Sequence, residues 1–178
     1  MGAIKVTREF GKHQSRAYVS IEKAFIEHGY EPKIFLEVIN NGLTPPKWVE
    51  IECACRKQDF GEPTVWLDTI TFSKPTRWDM AAMREPQTVI ANAKCDVGNV
   101  STVINSARRD KRLLVLQGIL RWETFFGEIF FTEFIYNCRI EADLFISTGD
   151  NVGDYEASTE VMTQPTGKRK AYQKEDKK

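Results

Sequence analysis

Apolar and polar residues alternate with a period of two along much of the chain, the pattern of half-buried β-strands. Ala17, Val19 and Ile21 alternate with Tyr18, Ser20 and Glu22, and in Lys33 to Asn40 the residues Ile34, Leu36 and Val38 oppose Phe35, Glu37 and Ile39. Trp48 to Arg56 sets Val49, Ile51, Cys53 and Cys55 against Glu50, Glu52 and Ala54. Thr64 to Phe72 reads the same way, with Val65, Leu67 and Thr69 opposite Trp66, Asp68 and Ile70. Thr88 to Val97 reads as a strand with Val89, Ala91, Ala93 and Cys95 on one side. Turn-forming residues separate the runs: His28-Gly29-Tyr30-Glu31-Pro32, Asn40-Asn41-Gly42-Leu43-Thr44-Pro45-Pro46, and Gln58 to Pro63. In the second of these, Gly42 is expected to supply a positive φ, and Pro45-Pro46 denies backbone donors to a neighbouring strand.

Two denser β-rich runs, about Leu113 to Trp122 and Ile129 to Cys138, meet at Phe126-Gly127 and predict a hairpin. Arg139 to Ser147 is expected to extend that pair or add an edge strand. Only Asn99 to Asp110 has helical spacing, through Val100, Val103, Ile104 and Ala107, with Asn99 placed to cap the start. Lys74 to Pro86, with Trp78, Met80 and Met83 between two prolines, reads as a loop with one helical turn. The organisation is a polar leader over 1–15, a β domain over 16–147 and a disordered polar tail over 148–178. Seven to eight short strands with one short helix predict an all-β, antiparallel immunoglobulin-like sandwich, with a closed barrel as the alternative.

A chain of 178 residues suits one domain and buries roughly two-thirds of its unfolded surface. Its 25 basic and 25 acidic residues balance, so no global field favours nucleic acid or an anionic bilayer. Apolar runs reach only four residues, as at Leu113–Leu116, too short for a membrane span or a signal-peptide core. Four cysteines, Cys53, Cys55, Cys95 and Cys138, with no Cys-x-x-Cys pair, are expected to be small buried residues in a reducing compartment, not a disulfide framework or a zinc site.

The motifs also carry a resemblance. Arg16-Ala17-Tyr18-Val19, the Asn40–Pro46 loop, and Gly118, Trp122, Phe126, Gly127, Thr132 and Phe134 in the hairpin resemble a set of bacterial membrane-anchored proteins of unassigned role. In these, one or two N-terminal transmembrane helices precede a small β-sandwich domain. The match covers most of Arg16 to Cys138. Trp122 stands for a usual Tyr, Thr124 where Asp is common, Phe130 where His often occurs, and Ile135 where Cys often occurs. The resemblance implies a sandwich and transfers no activity. It implies either a portion of a longer membrane protein or a natural soluble variant. The domain is then expected at a bacterial membrane, on the cytoplasmic side given its unpaired cysteines, with the periplasm as the alternative.

Candidate chemistry is sparse. The sequence carries no phosphate loop, nucleophile elbow, zinc-protease or calcium-loop motif, and neither a metal nor a cofactor is expected. His13 and His28 read as surface residues. Asp68, Asp79, Glu123 and Glu128 are conceivable acid–base partners but better read as surface carboxylates. Trp48, Trp66, Trp78 and Trp122 offer a stacking face, although Trp66 and Trp122 are expected to cover core edges. The densest basic cluster, Arg108, Arg109, Lys111 and Arg112, is the candidate ligand-binding group, for phosphate or a nucleotide. A solvated helix end complementing the dipole is the simpler reading of the cluster. No catalytic residue is assigned. The sequence thus favours a non-enzymatic domain for ligand sensing or protein interaction, with a protein partner or self-association in view. A nucleotide-binding effector domain and a small-molecule hydrolase are the alternatives.

Overall fold

A computed structural model describes residues 16–80 and 85–140, with the backbone of strands 145–147 and 152–156. The leader with His13, Met83 and most of the polar tail lie outside the described residues. The described residues form ten strands and one helix in two open sheets, an all-β sandwich and not a closed barrel. The small sheet has the order β1 (Val19–Glu27), β2 (Lys33–Asn40), β5 (Gln87–Ile90). At the centre of the large sheet, β7 (Leu113–Glu123) pairs antiparallel with β3 (Trp48–Gln58) and β8 (Ile129–Arg139). The far side of β8 carries β9 (Phe145–Ser147) and β10 (Val152–Glu156), and β10 lies beyond Ser147, where the sequence predicts only tail. The far side of β3 carries β4 (Thr76–Trp78), antiparallel, and the two-residue β6 (Lys94–Cys95), parallel.

The core is the set of inward positions that alternation predicts. Ile34, Leu36 and Val38 of β2 face Val49, Ile51, Cys53 and Cys55 of β3 and Leu114, Leu116, Leu120 and Trp122 of β7, all buried. Opposed apolar faces of this kind are what hold two sheets together. Gly118 sits among them because a Cβ there would come within 2.5 Å of the Glu52 carbonyl and 2.6 Å of the Phe134 ring.

In β1 the alternation changes phase. Ile21 pairs with Val38 but Lys23 pairs with Glu37, so Glu22 is an extra residue, a β-bulge. Val19 is buried before it and Ala24 and Ile26 after it. Without the bulge, Lys23 and Glu27 would point inward. Helix α1 (Val100–Arg109) follows the predicted span and closes one end of the sandwich with Val103, Ile104 and Ala107. Asn99 caps it by accepting from the Thr102 N–H at 2.8 Å.

Three expectations are corrected. Thr64 to Phe72 forms no strand: it lies across the outer face of the large sheet, where Gln117 exchanges hydrogen bonds with both backbone groups of Leu67. Its side chains do not alternate in burial: Trp66, Leu67, Ile70 and Phe72 are partly covered, while Val65, Asp68 and Thr69 are exposed. Thr88 to Val97 is not one strand but two, β5 and β6, in different sheets. Between Pro75 and Pro86 the chain contributes the strand β4.

Candidate functional site

Most of the residues that carry the resemblance converge at one end of the sandwich, while Gly118, Thr132 and Phe134 lie further along the hairpin strands. Asn40, fully buried, accepts from the N–H groups of Tyr18 and Gly42 and donates to the Thr44 carbonyl at 2.7 Å. The Asn41 N–H adds a bond to the Tyr18 carbonyl at 2.7 Å. Gly42 is needed here for close approach, not for a positive φ, because an added Cβ would overlap the Arg16 carbonyl oxygen and the backbone of Ala17 and Tyr18. The Trp122 indole donates to the Ala17 carbonyl at 3.0 Å, and Arg16 holds Glu128 with two bonds of 3.0 and 2.7 Å. The hairpin turn closes through Gly127 N–H to Thr124 C=O, with Gly127 at φ +82, and the buried Thr124 hydroxyl accepts from the Glu128 N–H. This is a structural clasp. Its carboxylate is already committed to Arg16.

The Glu123 carboxylate is committed in the same way. Glu123 accepts from Lys47 at 2.7 Å and from the Trp48 indole at 2.6 Å, and chiefly the Lys47 bond lowers its pKa. Asp68 and Asp79 are exposed on separate segments. On the outer face of the large sheet Arg77, Glu50, Arg121 and Glu52 form a ladder of alternating charge, with Arg77 over the Trp48 ring. The four tryptophans do not share a face. Trp122 is inside the core and not at its edge, Trp78 packs against the core, Trp48 lies under Arg77, and Trp66 packs on Phe72.

The basic cluster is spread around the end of α1. Arg108 contacts the His28 imidazole at 2.6 Å, Arg109 bonds Asp110, and Arg112 bonds Asp59 at 2.7 Å. Lys111 adopts φ 53, and the bonds Lys111 N–H to Arg108 C=O and Arg112 N–H to Ala107 C=O complete a Schellman end to the helix. Lys57, Arg109 and Ser106 all hydrogen bond to Asp110 and draw its carboxyl down to about 2. The four cations of the cluster are therefore not brought to one point.

No family model, curated protein or solved structure matches this chain. Function has to be argued from geometry.

Two features remain. The first is apolar exposure at the clasp end: Leu43 is 68% exposed, Phe125 66% and Phe126 39%, and the two phenylalanine rings meet edge to face at 5.8 Å. The second is a cleft of about 490 Å³ between the β1–β2 turn (Glu31 to Lys33), the segment Asn92 to Cys95, and the first turn of α1 with Asn105. Its wall includes Cys95, whose neighbour in the parallel β3–β6 register is Cys55.

All four cysteines are buried, as expected from the sequence, and none is in a disulfide. Their environments differ. Burial pushes the Cys53 thiol up to about 12, and its hydrogen bond to Cys95 holds Cys55 well above the ordinary thiol range. The same bond lowers Cys95, with Lys94 adding to the effect. Among the described residues, no group of three or more His, Cys, Asp or Glu side chains could hold a metal ion. Sequence reasoning missed both the cleft and the thiol pair: Cys55 and Cys95 are 40 residues apart and the walls of the cleft, Lys33 and Asn92, 59, and a two-residue strand leaves no periodic signal.

Proposed function

We propose that the chain is a non-enzymatic, immunoglobulin-like interaction domain of a bacterial membrane-anchored protein, engaging a protein partner through its clasp end. The observation that carries this reading is the exposure of Leu43, Phe125 and Phe126 at the clasp end, beside the Arg16–Glu128 pair. Apolar side chains held out of a core by a rigid hairpin mark a contact surface. Paired aromatics are the residue type that anchors protein interfaces. The cations at this end, Arg16 and Lys47, are already neutralised by Glu128 and Glu123, which favours an apolar protein surface over anionic lipid. A tether leading into Arg16 would hold this end against the membrane and its resident proteins. The free thiols support a cytoplasmic position, although no helix among the described residues is long and apolar enough to cross a membrane.

A photo-crosslinking residue at Phe125, compared with one at the exposed Ile90 of β5, tests this in cells. A discrete protein adduct from position 125 and none from position 90 is expected. Equal labelling from both positions, or flotation of the isolated domain with protein-free vesicles, would overturn it. The cleft at α1 favours a second reading, ligand sensing, in which Lys33, Lys94 and the helix N-terminus would select a small anion. A thermal shift with a small-anion panel that Lys94→Glu abolishes would support that reading, and no shift with any member would remove it.

A further inference from the structure

We propose that Cys95 and Cys55 form a thiol–disulfide exchange site, reached through the cleft, that takes small disulfides such as oxidised glutathione. The proposal stands apart from the interaction reading and starts from strand register. Cys55 and Cys95 are directly opposed in the parallel β3–β6 pair, and both are buried. Adjacent strands run about 4.8 Å apart, inside the roughly 4.4–6.8 Å between Cα atoms that a disulfide bridges. Cys95 lines the cleft, whereas Cys55 lies behind it in the core. One thiol is therefore placed to meet a reagent and the other to meet the product.

The roles follow from local electrostatics. Cys55 first and Lys94 second draw the Cys95 thiol below its ordinary range, outweighing its burial and Asp96, and the first turn of α1 shares its cleft. The net direction favours the thiolate, which is the attacking form. Cys53, on the same face of β3, is held protonated by burial.

The exchange balances in two steps. The Cys95 thiolate attacks one sulfur of the small disulfide; an S–S bond forms to Cys95, the original S–S bond breaks, and the first small thiolate leaves and takes up the Cys95 proton. Cys55 then gives up its proton and attacks the Cys95 sulfur. The mixed disulfide breaks, and the second small thiolate leaves with that proton. Two protein thiols are oxidised to one disulfide, and one small disulfide is reduced to two thiols. The bond would fasten β6, and with it the floor of the cleft, to β3. In a reducing compartment such a disulfide is transient and serves sensing or exchange.

Peptide mapping of the wild-type protein after oxidised glutathione tests this directly. Trypsin cuts after Lys47, Arg56, Lys94 and Arg108, so Cys55 and Cys95 fall in separate peptides, 48–56 and 95–108. These peptides are expected to be joined by a disulfide, still joined in Cys53→Ala, and replaced in Cys55→Ala by a glutathione adduct on Cys95. In the native protein, iodoacetamide is expected to label Cys95 at least about tenfold faster than Cys53, Cys55 or Cys138. A glutathione adduct that persists on wild-type Cys95 without the peptide link would overturn the pairing. So would a link lost in Cys53→Ala but kept in Cys55→Ala, or equal labelling of all four thiols. Peptide 48–56 also carries Cys53, so fragmentation of the joined wild-type peptides between Cys53 and Cys55 assigns the partner of Cys95 even if a variant fails to fold.

Discussion

Replacing Gly42 by Ala tests the clasp quantitatively. The new Cβ would lie 2.6 Å from the Ala17 Cα and 2.7 Å from the Tyr18 nitrogen, and would overlap the Arg16 carbonyl oxygen. These neighbours are backbone atoms, so no side-chain rotation relieves the overlap. The loop must lift, and lifting it weakens the bonds that tie it down: Tyr18 and Gly42 N–H to Asn40, Asn41 N–H to the Tyr18 carbonyl, and Asn40 to the Thr44 carbonyl. At about 1 kcal/mol per bond, losing most of them costs about 3 kcal/mol, in line with the roughly 1–3 kcal/mol of overpacking alone. Gly127→Ala is the control. Its φ of +82 is strained for alanine, but its nearest neighbours are side-chain ends at 3.9 Å, so only about 1 kcal/mol of left-handed strain is expected. Urea unfolding should separate the two variants. In thermal melts Gly42→Ala should fall roughly 6–12 °C and Gly127→Ala roughly 2–4 °C. If Gly42→Ala costs no more than Gly127→Ala, the close approach at Arg16–Tyr18 is wrong.

Further outcomes follow from other contacts. Gln117→Leu removes the bonds to Leu67 and Arg56; residues 59–74 should become the first site of limited proteolysis, and an unchanged cleavage pattern would count against their docking. Lys111→Gly relieves a lysine at φ 53 and should raise stability by about 0.5–1 kcal/mol in urea; a loss would contradict the Schellman end. The Cys53 thiol and the Tyr136 phenol are each raised by burial to about 12, from 9.0 and 10.0. The unfolded chain therefore ionises first, so this stability is complete below about pH 9 and is lost as pH rises toward about 12. Cys53 alone should remove about 1.4 kcal/mol per pH unit in that window, and Cys53→Ala should flatten the decline in the urea midpoint.

What could be read from the sequence was what burial imposes locally. The strands β2, β3, β7 and β8 were legible because one face of each meets the core, and α1 because Asn99, Val103, Ile104 and Ala107 give a cap and a stripe at helical spacing. The run Thr64 to Phe72 misled because its apolar and polar residues alternate in sequence, whereas adjacent residues such as Trp66 and Leu67 are covered together and Asp68 and Thr69 are exposed together. The bulge at Glu22 was invisible, since one extra residue changes the phase without changing the composition. The clasp was legible as a set of motifs but not as an assembly. Its members bond across 22 to 112 residues of chain, and Gly42 signalled a turn where the fold needed an approach. The basic run Arg108 to Arg112 looked like one site because it is contiguous, yet successive side chains around a helix end diverge to His28, Asp110 and Asp59.

The outer edge of β3 is closed in three pieces. Val49–Ile51 pairs with β4, Cys53 exchanges bonds with Ser73, and Ala54–Cys55 pairs with β6. No long row of unpaired amides and carbonyls is left there for another polypeptide to copy, and β9 and β10 occupy the opposite margin of that sheet along β8. The margins of the large sheet are therefore short strands, β4 and β6 on one side and β9 and β10 on the other, which limits the open edge of the kind that seeds fibrils and strand exchange. In the small sheet the bulge at Glu22 and the charges of Glu22, Lys23 and Glu27 interrupt β1, so association through side chains, as at Phe125 and Phe126, is favoured over a dimer grown by strand addition along β3.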